Sequence, residues 1–175
     1  KARSIAWVPG NVFGNAGCHG YQIADVFENA LIYSIDKGIY EVKKDYMEFA
    51  YRHSKIKDTK DIILKVFLKL KKESVNLDQS FDALGFRQAK QPYGYSNGSF
   101  FKNPQDYSAG YLIESVGLKG FEIGGAKISD KHANFFMNIN NALSSDVLVL
   151  RDLAKKKVYE KYRIMLEEEV VVVDE

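Results

Sequence analysis

The stretch Ala30-Leu31-Ile32-Tyr33-Ser34-Ile35, Asp36-Lys37-Gly38, Ile39-Tyr40-Glu41-Val42-Lys43 decides the fold class. Two runs rich in aliphatic and aromatic residues flank a short polar turn ending in Gly, which predicts a β-hairpin. On its amino-terminal side, the segment Pro9 to Gly20 carries Gly10, Gly14, Gly17 and Gly20. Glycine at that density predicts tight turns and close backbone approach. On its carboxy-terminal side, Tyr46 to Ala50 reads as a helical turn. Ile62 to Leu70 reads as a strand in which Val66, Leu68 and Leu70 alternate with Phe67 and Lys69.

The rest of the chain mixes the two kinds of element. Asn76 with Gln79 resembles a capping box and predicts a helix over Leu77 to Ala89. Gln91 to Pro104 is rich in Gly, Asn and aromatics and reads as a loop. Ser108 to Val116 reads as a short helix closed by Gly117. Phe121 to Ile128 and Asn134 to Asn138 read as strands. Ser144 or Ser145 is placed to cap a helix reaching about Arg163, with Val147, Leu150, Leu153, Val158 and Tyr162 near one face. Met165 to Val173 reads as a last strand. With a hairpin and no regular βαβ alternation, the fold class is α+β.

The chain has 175 residues, enough for one ordinary domain or two small ones. Apolar residues make up 46% and charged residues 27%, the balance of a soluble globule. Lys plus Arg is 25 and Asp plus Glu is 23, a net of +2, so no strong field selects for nucleic acid or an anionic membrane. The single cysteine, Cys18, leaves no intrachain disulfide and fits a reducing, cytoplasmic setting. No apolar run reaches the roughly 18 residues of a membrane span, and no signal-peptide pattern is present. The start at Lys1, with the apolar run Ile5 to Val8 close behind, reads as the interior of a longer protein.

Three segments then carry a resemblance. The first is Asn97-Gly98-Ser99-Phe100-Phe101-Lys102-Asn103-Pro104. The second is Ser108-Ala109-Gly110-Tyr111-Leu112-Ile113-Glu114, followed by Gly117-Leu118-Lys119-Gly120. The third is Ile123-Gly124-Gly125-Ala126-Lys127-Ile128-Ser129-Asp130-Lys131-His132-Ala133-Asn134-Phe135. With a terminal Leu166-Glu167-Glu168-Glu169-Val170, this order and spacing closely resembles the UDP-N-acetylenolpyruvoylglucosamine reductase (MurB) family. Earlier motifs agree. Asn15-Ala16-Gly17 with Gly20 looks like the family's Asn-Ala-Gly-Ala-Tyr-Gly loop, with Cys18-His19 in place of Ala-Tyr. Tyr51-Arg52-His53-Ser54 looks like its Tyr-Arg-x-Ser motif, and Arg87 to Pro92 like its Arg-x-x-Lys-x-Pro segment. The short step from Pro104 to Ala109 resembles the subgroup with shorter loops.

The resemblance implies a flavoenzyme that uses NADPH and FAD to reduce UDP-N-acetylglucosamine enolpyruvate to UDP-N-acetylmuramate, in peptidoglycan precursor synthesis. It assigns Lys1 to about Lys72 to the later part of the FAD-binding domain and residues 77–175 to the substrate-binding domain, with the earlier FAD-binding segment outside this chain. Hydride delivered to the terminal alkene carbon leaves enolate-like charge that an enzyme must stabilise and then protonate. By resemblance, Arg52 grips the substrate carboxylate, a task suited to a two-bond guanidinium. Glu169 faces the same carboxyl group and is useful there in its protonated, donating form. Ser99 is the proton donor; a hydroxyl is a poor acid and must be closely placed beside the carbanion. Lys90 and Asn103 match the contacts to the UDP diphosphate, and Arg87 the arginine near the flavin ring. Asn15 and Gly17 match the loop lining the cofactor.

The residues also admit plainer readings. A serine between Gly98 and Phe100 often only makes a turn, Arg52 on a loop is often a solvated charge, and Glu167 to Glu169 could be a solvated edge. Strand alternation puts Glu167 and Glu169 on one face and Glu168 on the other. No metal-ligand spacing links Cys18, His19, His53 and His132, so no metal site is expected. His132 reads as a hydrogen-bonded structural residue, Cys18 as a small loop residue, and Lys155-Lys156-Lys157 as a solvated face. A second function class is a non-catalytic sugar-nucleotide-binding fragment without flavin. A nucleic-acid binder would need a recognised motif or more net positive charge than this chain has. The sequence leaves the oligomeric state open, with a monomer expected.

Overall fold

The computed structural model describes residues 7–18, 20–70, 85 and 88–173, and the chain divides into two compact units, 1–74 and 75–175. Both mix helix and strand, so the fold is α+β.

The first unit is built on the predicted hairpin. Strands β3 (Phe27–Ser34) and β4 (Gly38–Lys43) pair antiparallel with Ile32 opposite Tyr40 and Ser34 opposite Gly38. Gly38 has φ +71, a left-handed backbone conformation that glycine adopts without the strain an L side chain meets there. Strand β5 (Ile62–Leu68) pairs with the other edge of β3, giving the order β4-β3-β5. Ala30, Ile32 and Val42 project from the sheet into a core with Val12, Phe27, Met47 and Ile56. Burial of each larger side chain contributes about 1.5–3 kcal/mol. Part of the Gly-rich segment is not a loop: Trp7–Phe13 forms helix α1, which spans Pro9 and Gly10. Burial of Val12 in the core outweighs the poor propensity of those two residues. The helix ends at Gly14 and Asn15, the latter at φ +44. The predicted helical turn at Tyr46 is a 3-10 turn over Lys44–Met47, and a one-turn helix α2 covers Ile56–Thr59.

In the second unit, a four-stranded antiparallel sheet runs β6-β9-β8-β7. Its strands are β6 (Ser96–Ser99), β7 (Glu122–Ile123), β8 (Ala126–Ile128) and β9 (Phe135–Asn138). Helices α3 (Ala109–Ser115) and α4 (Ser144–Tyr162) accompany it. Phe100 stacks on Phe136 at 4.3 Å between ring centroids, and Phe101 meets Phe136 edge-on at 5.9 Å. Leu112, Ile113, Ile128, Leu150, Val158 and Leu166 complete this core.

Several boundaries differ from the sequence reading. Phe121 to Ile128 is not one strand but a tight hairpin, turned at Gly124 and Gly125 between β7 and β8. The segment Gln91 to Pro104 contains β6, whose Gly- and Asn-rich sequence is held extended by pairing with β9. Neither Ser144 nor Ser145 caps α4. Leu143 occupies the cap, and the Asp146 carboxylate accepts from the Leu143 and Gly125 amides at 3.0 and 3.2 Å. Ser108 caps α3 as expected, accepting from the Tyr111 amide at 3.4 Å. Met165 to Val173 is not a strand: it makes one isolated bridge, Glu168 opposite Phe101, and is otherwise irregular. Of the helix predicted over Leu77 to Ala89, residues 77–84, 86 and 87 lie outside the described residues; Gly85, Gln88 and Ala89 are helical.

Candidate functional site

In the first unit the backbone of residues 50–54 doubles back on itself. Ala50 and His53 exchange amide hydrogen bonds at 3.1 and 3.2 Å, and Arg52 between them is held at φ +53. A non-glycine residue in the left-handed region costs about 1 kcal/mol or more and persists only where its surroundings impose it. Here they do. Ser54 is fully buried, and its hydroxyl donates to the Phe13 carbonyl at 2.7 Å. The Lys57 ammonium donates to the Arg52 carbonyl at 2.8 Å. The Arg52 guanidinium stacks 5.3 Å from the Tyr51 ring and donates to the Gly17 carbonyl at 3.3 Å. Arg52 and Gly17, 35 positions apart in sequence, are thus neighbours.

Asn15 completes this cluster from beneath. It is buried, its side-chain nitrogen donates to the Ala50 carbonyl and to Gln22 Oε1, both at 2.9 Å, and its oxygen accepts from the Ala24 amide at 3.1 Å. The carboxamide is therefore spent on tying the loop of residues 15–24 to the Arg52 turn. Gly17 has a comparable internal reason: a Cβ there would lie 2.7 Å from the Tyr21 carbonyl oxygen. The missing side chain accommodates β1 (Gly17–Cys18) against β2 (Tyr21–Gln22). Cys18 is exposed beside it, and His19 lies outside the described residues.

In the second unit Ser99 ends β6 and is half-buried, with Phe135 opposite it on β9. Among the described residues no side chain or backbone group hydrogen-bonds its hydroxyl. The next residue, Phe100, accepts from the Glu169 amide at 2.9 Å, and Lys102 donates its amide to the Glu167 carbonyl at 2.8 Å. Ser99 and Glu169, 70 positions apart in sequence, therefore belong to one small patch of backbone. Glu169 is half-buried. Of its neighbours, Glu167 is exposed and pairs with Lys102, whereas Glu168 is largely covered: both its carboxylate oxygens accept from Lys155 at 2.8 and 3.0 Å, with Arg151 at 3.7 Å. Lys155, read from sequence as solvated, thus ties α4 to the terminal segment. The only sequence signal for this was a Glu run facing a basic helix.

Asn103 is exposed, and its side-chain oxygen Oδ1 accepts from the Ala109 amide at 3.0 Å, at the start of α3. Lys90 is exposed on the last described helical residue before Gln91. Arg87 lies outside the described residues. His132 is structural, as expected: its Nδ1 accepts from the Asn134 amide at 3.2 Å, and burial pushes its imidazole below the ordinary histidine range. Among the described residues, no three His, Cys, Asp or Glu side chains gather as metal ligands, and no helix is long and apolar enough to cross a membrane.

The family model for the C-terminal domain of UDP-N-acetylenolpyruvoylglucosamine reductase matches residues 90–173. The UDP-N-acetylenolpyruvoylglucosamine reductase of Caldicellulosiruptor saccharolyticus is 42% identical over 173 residues, covering 96% of this chain and 56% of that protein. The same-named protein of Fervidobacterium nodosum is 42% identical over 170 residues, covering 94% and 55%. The crystal structure of the corresponding reductase from Thermus caldophilus superposes with a TM-score of 0.80 at 34% identity, covering 94% of this chain and 59% of that one. The chain spans a little over half the length of these relatives.

Proposed function

We propose, since the chain belongs to the UDP-N-acetylenolpyruvoylglucosamine reductase family, that it supplies the substrate-handling part of an enzyme reducing UDP-N-acetylglucosamine enolpyruvate to UDP-N-acetylmuramate. The setting is peptidoglycan precursor synthesis in the cytoplasm. FAD, reduced by NADPH, would supply the hydride. The residues of this chain then have four tasks: to hold the substrate carboxylate, to stabilise charge on the carbon next to it, to protonate that carbon, and to anchor the diphosphate.

Arg52 takes the carboxylate. Its strained turn is imposed by Ser54, Lys57 and the Ala50–His53 pair, so the guanidinium is placed before substrate arrives and little ordering cost remains on binding. Glu169 in its protonated form is assigned a hydrogen bond to substrate. Ser99 gives its proton to the carbanion. The observation that carries this reading is the tie between the two: the Glu169 amide donates to Phe100, the residue after Ser99. A hydroxyl without an internal partner among the described residues is free to turn toward substrate.

Lys90 and Asn103 bind the diphosphate, one as an exposed point charge and the other at the start of α3. On the flavin side, the fit is through backbone and guanidinium rather than the Asn15 carboxamide. Asn15 ties the loop that carries the Gly17 carbonyl to the turn that carries Arg52, and Arg87 is the residue assigned to the flavin ring. The test is the half-reactions of the flavin-loaded protein. Ser99→Ala leaves flavin reduction by NADPH intact and nearly abolishes reoxidation by the enolpyruvyl substrate. Unchanged reoxidation removes Ser99 from the chemistry. A colourless purified protein that still binds the sugar nucleotide would favour a non-catalytic binding module instead.

A further inference from the structure

Asn134 has no assigned part in the reaction, yet its buried side chain makes two hydrogen bonds to the backbone of Phe101, two residues after Ser99. Asn134 is 2% exposed. Its carbonyl oxygen Oδ1 accepts from the Phe101 amide at 2.9 Å, and its Nδ2 donates to the Phe101 carbonyl at 2.8 Å. Its own backbone carbonyl accepts from the Phe100 amide at 2.8 Å, and its backbone amide donates to His132 at 3.2 Å.

This carboxamide stands in for a strand. Ser99 pairs with Phe135 across β6 and β9, and the ladder shifts register between Ser96 and Ser99. Past Ser99, the Asn134 side chain satisfies both backbone groups of Phe101 on one edge. On the other edge the bridge to Glu168 forms, through Lys102 to Glu167 and Glu169 to Phe100. Residues 100 and 101 are therefore held from both sides. One edge is pinned by a single buried amide, and the other carries Glu169.

We propose that Asn134 is a positioning residue that sets the separation of Ser99 from Glu169. It touches neither substrate nor cofactor and acts only through the backbone of Phe100 and Phe101. The inference rests on the assignment of Ser99 and Glu169 in the preceding section. Alanine at 134 leaves the Phe101 amide and carbonyl without this partner and lets the short segment between β6 and the terminal bridge relax. A displacement of about 1 Å at a reacting group can cost on the order of 100-fold in rate.

The experiment measures both half-reactions in the flavin-loaded protein for Ser99→Ala, Asn134→Ala and the double variant. Asn134→Ala should slow flavin reoxidation by the enolpyruvyl substrate roughly 10- to 100-fold. Flavin reduction by NADPH should stay within about twofold, as should the KM for substrate. In the double variant, Asn134→Ala should add nothing to the loss caused by Ser99→Ala, because its effect passes through that residue. If Asn134→Ala does not fold, Asn134→Ser, which offers one hydroxyl in place of the two-point carboxamide, is read by the same pattern: slower reoxidation with flavin reduction unchanged. Equal slowing of both half-reactions, or no slowing, overturns the proposal. So does a further loss in the double variant. Normal reoxidation in Ser99→Ala alone overturns the underlying assignment instead.

Discussion

The backbone amide of Glu169 donates to the carbonyl of Phe100 at 2.9 Å. One hydrogen bond thus joins the terminal segment to the residue that follows Ser99, and the irregular tail of the chain becomes part of the candidate site. The segment holds there because Leu166 is fully buried in the core and because Glu168 accepts twice from Lys155.

The Glu168–Lys155 pair should therefore matter more than a surface ion pair. Both side chains are largely covered, at 23% and 28% exposure. Glu168→Gln should cost about 1 kcal/mol of stability, and less in high salt. Urea unfolding at low and high ionic strength checks this. A variant as stable as wild type in both would show that the pair contributes nothing.

The Arg52 turn makes a second prediction. Ser54→Ala removes the fully buried donor to the part-buried Phe13 carbonyl and should destabilise the protein by about 1 kcal/mol or more. It should also loosen Arg52 and raise the KM for substrate more than it lowers kcat, since the carboxylate grip proposed for Arg52 would serve binding as well as catalysis. Denaturant unfolding and steady-state kinetics test both halves.

Gly17→Ala places a methyl group 2.7 Å from the Tyr21 carbonyl oxygen. Either β1 and β2 separate or the loop shifts. Thermal unfolding should drop, and flavin affinity should fall with it if this loop lines the cofactor. Flavin retention at wild-type level in a destabilised protein would remove the loop from cofactor binding.

His132 gives a pH signature. Burial lowers its pKa, the largest cause, and its Nδ1 must stay unprotonated to accept from the Asn134 amide. The unfolded chain takes up the proton first, near the ordinary histidine value of about 6.5. Stability is therefore fully present above about pH 6.5 and is lost as pH falls from there toward the lower folded value. Unfolding free energies between pH 8 and pH 5 should show this loss, and His132→Gln should flatten it. The same slope in both proteins would assign the effect to other groups.

Much of this architecture was legible in local chemistry. The β3–β4 hairpin followed from two apolar runs around Gly38, and α3 from Ser108 and the apolar pattern behind it. What local chemistry hid was tertiary. Trp7–Phe13 contains Pro and Gly and is helical because Val12 is buried in the core. Strand β6 has weak strand residues and is extended because β9 lies beside it. Met165 to Val173 has strong strand residues but bridges at one position, where the neighbouring edge is already occupied on its far side by Asn134. At the site, resemblance pointed to Ser99, Glu169 and Arg52. It did not point to Asn134 or Lys155, whose importance comes from partners distant in sequence.

In the proposed reaction, the Ser99 hydroxyl beside Phe100 protonates the carbon left negative by hydride transfer. Rapid-mixing absorbance of the pre-reduced flavin protein against the enolpyruvyl substrate tests it most directly, comparing wild type with Ser99→Ala. Reoxidation slowed on the order of 100-fold or more, with flavin reduction by NADPH unchanged, is the predicted result. Reoxidation at the wild-type rate in Ser99→Ala contradicts it.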